Sequence, residues 1–204
     1  MINYLAIDTS GNGLTVAVGG EKKAVSRLEN CTLTHSVELM GEIEKTLEKA
    51  GLDKENIDVF ACSVGPGSFT GIRIGVSTVK AFGYALNKKV LAVTSFLSLA
   101  YNVEKGRKKL AVIDARHGNY YACGYDENGE EILPPCFIDR AKLEEYSKVY
   151  LVISDTEIDG VQSIVADVES GFVKAVEANL DRASTDVETV VPLYVKKSQA
   201  EEGL

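Results

Sequence analysis

Histidine is nearly missing from this chain: His35 and His117 are the whole set among 204 residues. Two imidazoles are too few for a histidine-rich metal centre. Cysteine is sparse and unpatterned. Cys31, Cys62, Cys123 and Cys136 form no C-x-x-C pair, and Cys62 and Cys123 lie in strand-like runs. They read as buried free thiols of a reducing compartment rather than as a metal or disulfide set. Positive charge is outweighed: 22 Lys and Arg face 30 Asp and Glu, a formal net charge of −8. That argues against the chain gripping a phosphate backbone alone, which needs clustered cations. The densest basic run, Lys105-Gly106-Arg107-Lys108-Lys109, reads as a solvated approach to a strand. No apolar run reaches membrane-spanning length. The N-terminus shows no basic stretch followed by an apolar core. A cytoplasmic protein is expected. Core-forming residues, by contrast, are plentiful: 45% of the chain is hydrophobic, enough for one large domain or two small ones.

Local patterns give an α/β order. Tyr4-Leu5-Ala6-Ile7 is a short buried strand ending at Asp8-Thr9-Ser10, and Gly11-Asn12-Gly13 turns the chain into a second strand, Leu14–Val18. A third strand is expected around Ala24–Leu28. A helix follows, capped by Thr34 or Ser36 and ended by Gly51. Leu33, Val37, Met40, Ile43, Leu47 and Ala50 recur at helical spacing and mark its expected apolar face. The strand Val59–Val64 then enters the most distinctive stretch of the chain, Gly65-Pro66-Gly67-Ser68-Phe69-Thr70-Gly71-Ile72-Arg73-Ile74-Gly75.

This stretch reads as a strand–glycine loop–helix junction, where backbone N–H groups can face an anion. It fails both familiar nucleotide loops. Thr70 stands where the third glycine of G-x-G-x-x-G belongs, and Ile72-Arg73 follow Gly71 where a P-loop needs Lys and Ser or Thr. The glycines therefore read mainly as a tight turn. The helix beyond them is apolar nearly all round. Ile72, Val76, Val79 and Leu86 form one stripe, and Ile74, Gly75, Thr78, Ala81, Phe82 and Ala85 form a second apolar or small surface. Such a helix needs cover on more than one side, from the first helix, a second domain or a partner. Further on, Val90–Val93 is a strand, and Thr94 or Ser95 caps a short helix through Tyr101.

The opening pattern then returns about half a chain later. Leu110-Ala111-Val112-Ile113-Asp114 mirrors Leu5-Ala6-Ile7-Asp8, His117-Gly118-Asn119 mirrors the glycine turn, and Tyr120–Tyr125 is the return strand. Past this hairpin the second half is thinner. Pro134-Pro135 breaks it, Arg140–Tyr146 is a short helix, Tyr150–Ile153 is a strand, and no glycine loop recurs. The apolar tail Val187–Val195 is expected to pack back on the body, and Ser198–Leu204 to fray. Two such halves suggest a duplicated ribonuclease-H-like fold of the actin, sugar-kinase and Hsp70 group, with the second half reduced. The expected domains are 1–103 and 104–204.

The combination of Ala6-Ile7-Asp8-Thr9-Ser10, Thr34-His35-Ser36 and the long glycine string resembles the TsaB (YeaZ) family. Val93-Thr94-Ser95-Phe96-Leu97-Ser98-Leu99 and Pro192-Leu193-Tyr194-Val195 resemble it too. The likeness is strong over residues 1–100 and weak over 104–186. It implies a non-catalytic subunit needed for threonylcarbamoyladenosine at position 37 of tRNAs that read codons beginning with A. It further implies that the chain binds and supports a TsaD transferase subunit, that a TsaE ATPase joins the assembly, and that the chain is a homodimer when alone. Contact through helices 34–50 and 70–86 is implied, and the expected interface is Leu39, Met40, Ile43, Ile72, Gly75, Val76, Thr78, Val79 and Phe82. No catalytic or metal residues are expected. TsaD-like subunits hold a metal with an H-x-x-x-H pair, whereas Leu39 stands four places after His35.

A second candidate set is a shared nucleotide site or structural loop: Asp8, Thr9, Ser10, His35, Gly65, Gly67, Ser68, Gly71 and Arg73. ATP or ADP is expected only at the interface of the complex, and tRNA only through the complex. The alternative is a stand-alone ATPase or sugar-type kinase resting on Asp8, Asp114 and the glycine loop. A peptidase would need Ser68 or Cys62 beside a base, and neither histidine stands in a recognisable arrangement with them.

Overall fold

The computed structural model describes residues 1–31 and 33–196. The chain divides into two compact units. The first comprises 1–95 with 173–192; the second comprises 96–172 with 193 onward. The boundary therefore falls after Ser95 instead of at 103, and a late segment belongs with the first unit.

In the first unit, β1 (Tyr4–Asp8), β2 (Leu14–Gly19), β3 (Ala24–Leu28), β4 (Val59–Ser63) and β5 (Lys89–Val93) form a sheet of order β3-β2-β1-β4-β5. The pairs β1–β2 and β2–β3 are antiparallel, while β1–β4 and β4–β5 are parallel. β1 and β4 are buried along their whole length, as central strands with apolar runs should be. Helices α1 (His35–Ala50) and α2 (Phe69–Leu86) cover one face. The later half of α5 (Val168–Ala178) covers the other, where Tyr4 Oη donates to Glu177 Oε1 at 3.1 Å and Lys23 Nζ to the same oxygen at 2.7 Å. The free edge of β5 is closed by reciprocal backbone bonds between Val90 and Ser184.

The buried face of α1 is His35, Leu39, Glu42, Ile43, Thr46, Leu47 and Ala50. This corrects the expected face in its first two turns, because Leu33 and Val37 are exposed and Met40 is half exposed. Polar residues take core positions there because each is bonded. His35 Nε2 donates to Gly13 O at 3.2 Å, the Ser26 hydroxyl donates to Glu42, and Thr46 Oγ1 donates to Glu42 O at 2.6 Å. The αL residue Gly51 (φ 60°) ends the helix as read from the sequence.

The second unit repeats the plan. β6 (Lys109–Asp114), β7 (Asn119–Tyr125), β8 (Glu131–Asp139), β9 (Leu151–Ser154) and β10 (Ser163–Val165) have order β10-β9-β6-β7-β8, with the same sequence of antiparallel and parallel pairs. Strand alternation splits its core. Leu110, Val112 and Ala122 pack with Leu143 of α4 (Arg140–Tyr146). Ala111, Ile113 and Cys123 pack with Phe96 and Leu99 of α3 (Ser95–Ala100). Matching sheets make this the duplicated ribonuclease-H-like fold. The second half is reduced at two places: α4 has 7 residues where α1 has 16, and β9 runs to β10 through residues 155–162, where β4 and β5 are joined by α2.

Pro134-Pro135 do not break this half. They lie inside the edge strand β8, where the pairing steps from Ala122–Cys136 to Gly124–Leu133, so both prolines sit in a bulge that leaves them out of the ladder. None of the described helices is long and apolar enough to cross a membrane. The expected frayed end, Ser198–Leu204, lies outside the described residues.

Candidate functional site

Two sites grow out of the α2 junction. The first is the glycine loop itself. Asp8, at the end of β1, is buried, and its Oδ1 accepts from Ser10 N at 2.8 Å and Ser10 Oγ at 2.6 Å. This closed Asx-type turn pushes the carbonyl groups of Thr9 and Ser10 toward the start of α2. Ser68 N donates to Ser10 O at 2.7 Å, and Thr9 Oγ1 donates to Gly71 O at 2.7 Å. A Cβ at Gly67 would overlap the Ser10 carbonyl, and one at Gly71 would overlap the Thr9 carbonyl. Gly65 has φ 99°, a conformation that favours glycine. Ser68 caps the helix, its Oγ accepting from Gly71 N at 3.2 Å.

The loop thus closes on the chain's own carbonyl groups. Glycine is required because backbone approaches backbone, and the donor a phosphate would need at Ser68 is already bonded. Next to the loop, Ser10, Ser63 and Ser95 hydroxyls lie 3.1 Å from one another in a buried ring. The sequence reading missed Ser63 and Ser95 as part of this cluster; the signals were a serine ending an apolar strand and one at a helix start. Cys62 lies below, and burial, then the nearby Asp8 carboxylate, pushes its thiol up. A thiol held in that state is a poor nucleophile.

His35 does not join the Asp8 turn directly. Its Nε2 reaches Gly13 O, at the far end of the β1–β2 turn, and its Nδ1 has no partner among the described residues. The equivalent turn of the second unit is more open. Asp114 is exposed, with Oδ1 accepting from Arg116 N at 2.8 Å. Asp155, just after β9, is held above its ordinary value by burial, against the opposing backbone hydrogen bonds of Asp155 and Asp114. Among the described residues, no group of three or more His, Cys, Asp or Glu is placed to hold a metal ion.

The second site is a groove of about 520 Å³ between α1 and α2. Its floor and walls include Leu39, Met40, Phe69, Ile74 and Thr78, with Ser36, Thr70, Arg73 and Ser77 along the rim. Val37 (75% exposed), Met40 (48%), Phe69 (40%) and Tyr84 (83%) leave apolar surface on the two helices open. Arg73 also lines this groove, its guanidinium carbon 3.8 Å from the centroid of the Phe69 ring.

Burial divides the expected interface residues. Leu39, Ile43, Ile72, Gly75, Val76 and Val79 are in the core, and Leu39 also touches the groove floor. Phe82 is half-buried and stacks on Phe60 at 5.0 Å. Gly75 faces Thr9, whose Oγ1 would lie 2.7 Å from an added Cβ. Among that set, Met40 and Thr78 present open surface to the groove. Ser36, Phe69, Thr70, Ile74 and Ser77, which also line the groove, were outside that set.

Residues 29–163 match the sequence model of the family described as TsaD: tRNA N6-adenosine threonylcarbamoyltransferase. The chain is similar to the tRNA threonylcarbamoyladenosine biosynthesis protein TsaB of Buchnera aphidicola subsp. Schizaphis graminum (29% identical, covering 74% of this chain and 77% of that one). It is similar to the protein of that name from Escherichia coli (30%, covering 63% and 58%) and from Bacillus subtilis (28%, covering 98% and 96%). A solved structure titled YeaZ from Pseudomonas aeruginosa shares the fold, with a TM-score of 0.74 at 22% identity, over 95% of this chain and 100% of that one. With more than half of its length matched, the chain belongs to the TsaD family of tRNA N6-adenosine threonylcarbamoyltransferases, and within it to the TsaB (YeaZ) group.

Proposed function

We propose that this chain is a non-catalytic subunit in the formation of threonylcarbamoyladenosine at position 37 of tRNA, and that it acts by binding and supporting a TsaD-type transferase. The observation that carries this reading is the open apolar groove between α1 and α2, beside a glycine loop closed by its own carbonyl groups. Relatives named for threonylcarbamoyladenosine biosynthesis support the pathway assignment. Exposed apolar surface rimmed by hydroxyls is what a protein-binding face requires. The loop, whose Ser68 donor and Asp8 carboxylate are already engaged, offers no phosphate-transfer chemistry of its own.

In this reading the partner supplies the catalytic groups and most of the tRNA contact, consistent with the net charge of −8. A TsaE-type ATPase completes the assembly in the cytoplasm, any ATP or ADP lies at the shared interface, and the isolated chain pairs with itself. The test is a modification assay with each component omitted in turn. Omitting this chain should abolish modified tRNA, while the isolated chain with Mg-ATP should show no turnover. Full modification without the chain, or ATP turnover by it that is lost in Asp8→Asn, would overturn the proposal.

A further inference from the structure

Asparagine is followed by glycine at two places, Asn12-Gly13 and Asn128-Gly129. In such a pair the glycine nitrogen can reach the asparagine side chain, because no Cβ stands in its way. Both pairs lie in hairpin turns, yet the fold holds them differently. Asn12 lies between β1 and β2. Its carbonyl accepts from Cys31 N at 2.9 Å, the Gly13 carbonyl accepts from His35 Nε2 at 3.2 Å, and a Cβ on Gly13 would stand 2.9 Å from Leu28 O. Ring closure at Asn12 has to swing both peptide planes, and so has to break bonds to two buried residues, Cys31 and His35.

Asn128 and Gly129 sit at the exposed tip between β7 and β8. Gly129 has φ 90°, and a Cβ there would meet nothing within 4 Å. Among the described residues, neither carbonyl of this pair accepts a hydrogen bond. Asp126 supplies what hold there is. Asn128 N donates to its Oδ1 at 2.8 Å, Gly129 N to its backbone carbonyl at 3.2 Å, and Asn128 Nδ2 to its Oδ2 at 3.5 Å. The two bonds that cyclisation gives up are the two long ones, and water replaces them at the surface.

We propose that Asn128 is a site of spontaneous deamidation and that the fold spares Asn12. The Gly129 nitrogen attacks Cγ of Asn128. An N–Cγ bond forms, the Cγ–Nδ2 bond breaks, and the nitrogen's proton passes through solvent to Nδ2, which leaves as ammonia. Water then opens the cyclic imide at either carbonyl, giving aspartate at 128 or its isoaspartate isomer, whose backbone runs through the side chain. Either product sets a carboxylate where Asn128 Nδ2 had donated to Asp126, so an attraction becomes a like-charge contact.

The test incubates the intact chain at mildly alkaline pH, folded and in denaturant, and follows its peptides by mass spectrometry. In denaturant the two Asn-Gly pairs should convert at similar rates. In the folded protein the Asn128 peptide should gain the mass of an amide-to-acid change and split into two chromatographic forms. Its rate should exceed that at Asn12 about tenfold or more, which corresponds to about 1.4 kcal/mol between the two barriers. Isomerisation at Asp159-Gly160 leaves mass unchanged, so mass assigns the site. Asn128→Gln, which keeps Gly129 and should melt as wild type does, should hold its mass over the same interval. Equal rates at Asn12 and Asn128 in the folded protein would overturn the proposal. So would an Asn128 that converts only in denaturant, or a mass gain that persists in the same peptide of Asn128→Gln.

Discussion

Gly67 and Gly71 are the points at which the β1 turn touches the start of α2 through backbone alone. Gly67→Ala or Gly71→Ala puts a methyl group into a carbonyl. Each should destabilise the protein by about 1–3 kcal/mol, seen as a lower denaturant midpoint with an unchanged slope. An unchanged midpoint would mean that the contact is looser than described. Gly75 is more demanding. A charged side chain there would be forced against Thr9 and the β1–β4 core, so Gly75→Glu should fail to fold rather than block a partner, and circular dichroism decides between the two. Glu42 links α1 to β3. The Ser26 hydroxyl bond first, then Lys45, hold its carboxyl below the ordinary 4.5, outweighing the opposing effect of burial. A depressed folded value means that its stabilisation is present above the unfolded value and is lost as pH falls through the folded one. Melting temperature followed below about pH 4.5 should therefore drop more steeply in wild type than in Glu42→Gln. Parallel curves would contradict that assignment.

At the scale of elements, α1 shows how far the sequence can be read and where reading stops. Its existence, length and Gly51 end follow from periodicity and turn chemistry. Its face does not, because Leu33, Val37 and Met40 keep helical spacing while His35, Glu42 and Thr46, polar by type, are buried through specific bonds. Only the partners Gly13 and Ser26, distant in sequence, make those burials tolerable, and no local pattern reveals them. The same holds for β8, where two prolines looked like a break until the bulge that takes them out of the ladder was known. In the loop set, the clustering of Asp8, Ser10 and the glycines was legible from their motif, whereas the place of Arg73 in the groove depends on where Phe69 points. One consequence is direct. A charge at the exposed Met40 should leave the fold within about 0.5 kcal/mol of wild type, because no core packing is lost.

At the scale of the whole chain, two sheets of matching order were foreshadowed by the repeat of a strand ending in Asp8 and again in Asp114. The repeat is most informative where it fails. The first unit keeps a long helix between β4 and β5 and opens a groove beside it, while the second joins β9 to β10 by a short segment. That added helix supplies both the glycine ridge that packs inward and the face left open outward, which is why the proposed partner surface lies in the first unit. The most direct test is co-sedimentation of this chain with a TsaD-type transferase, comparing wild type with Met40→Asp and checking each by thermal melting. Wild type should travel with the transferase, and Met40→Asp, equally well folded, should travel alone. A Met40→Asp protein that binds the transferase as tightly as wild type would show that the α1–α2 groove is not the partner surface.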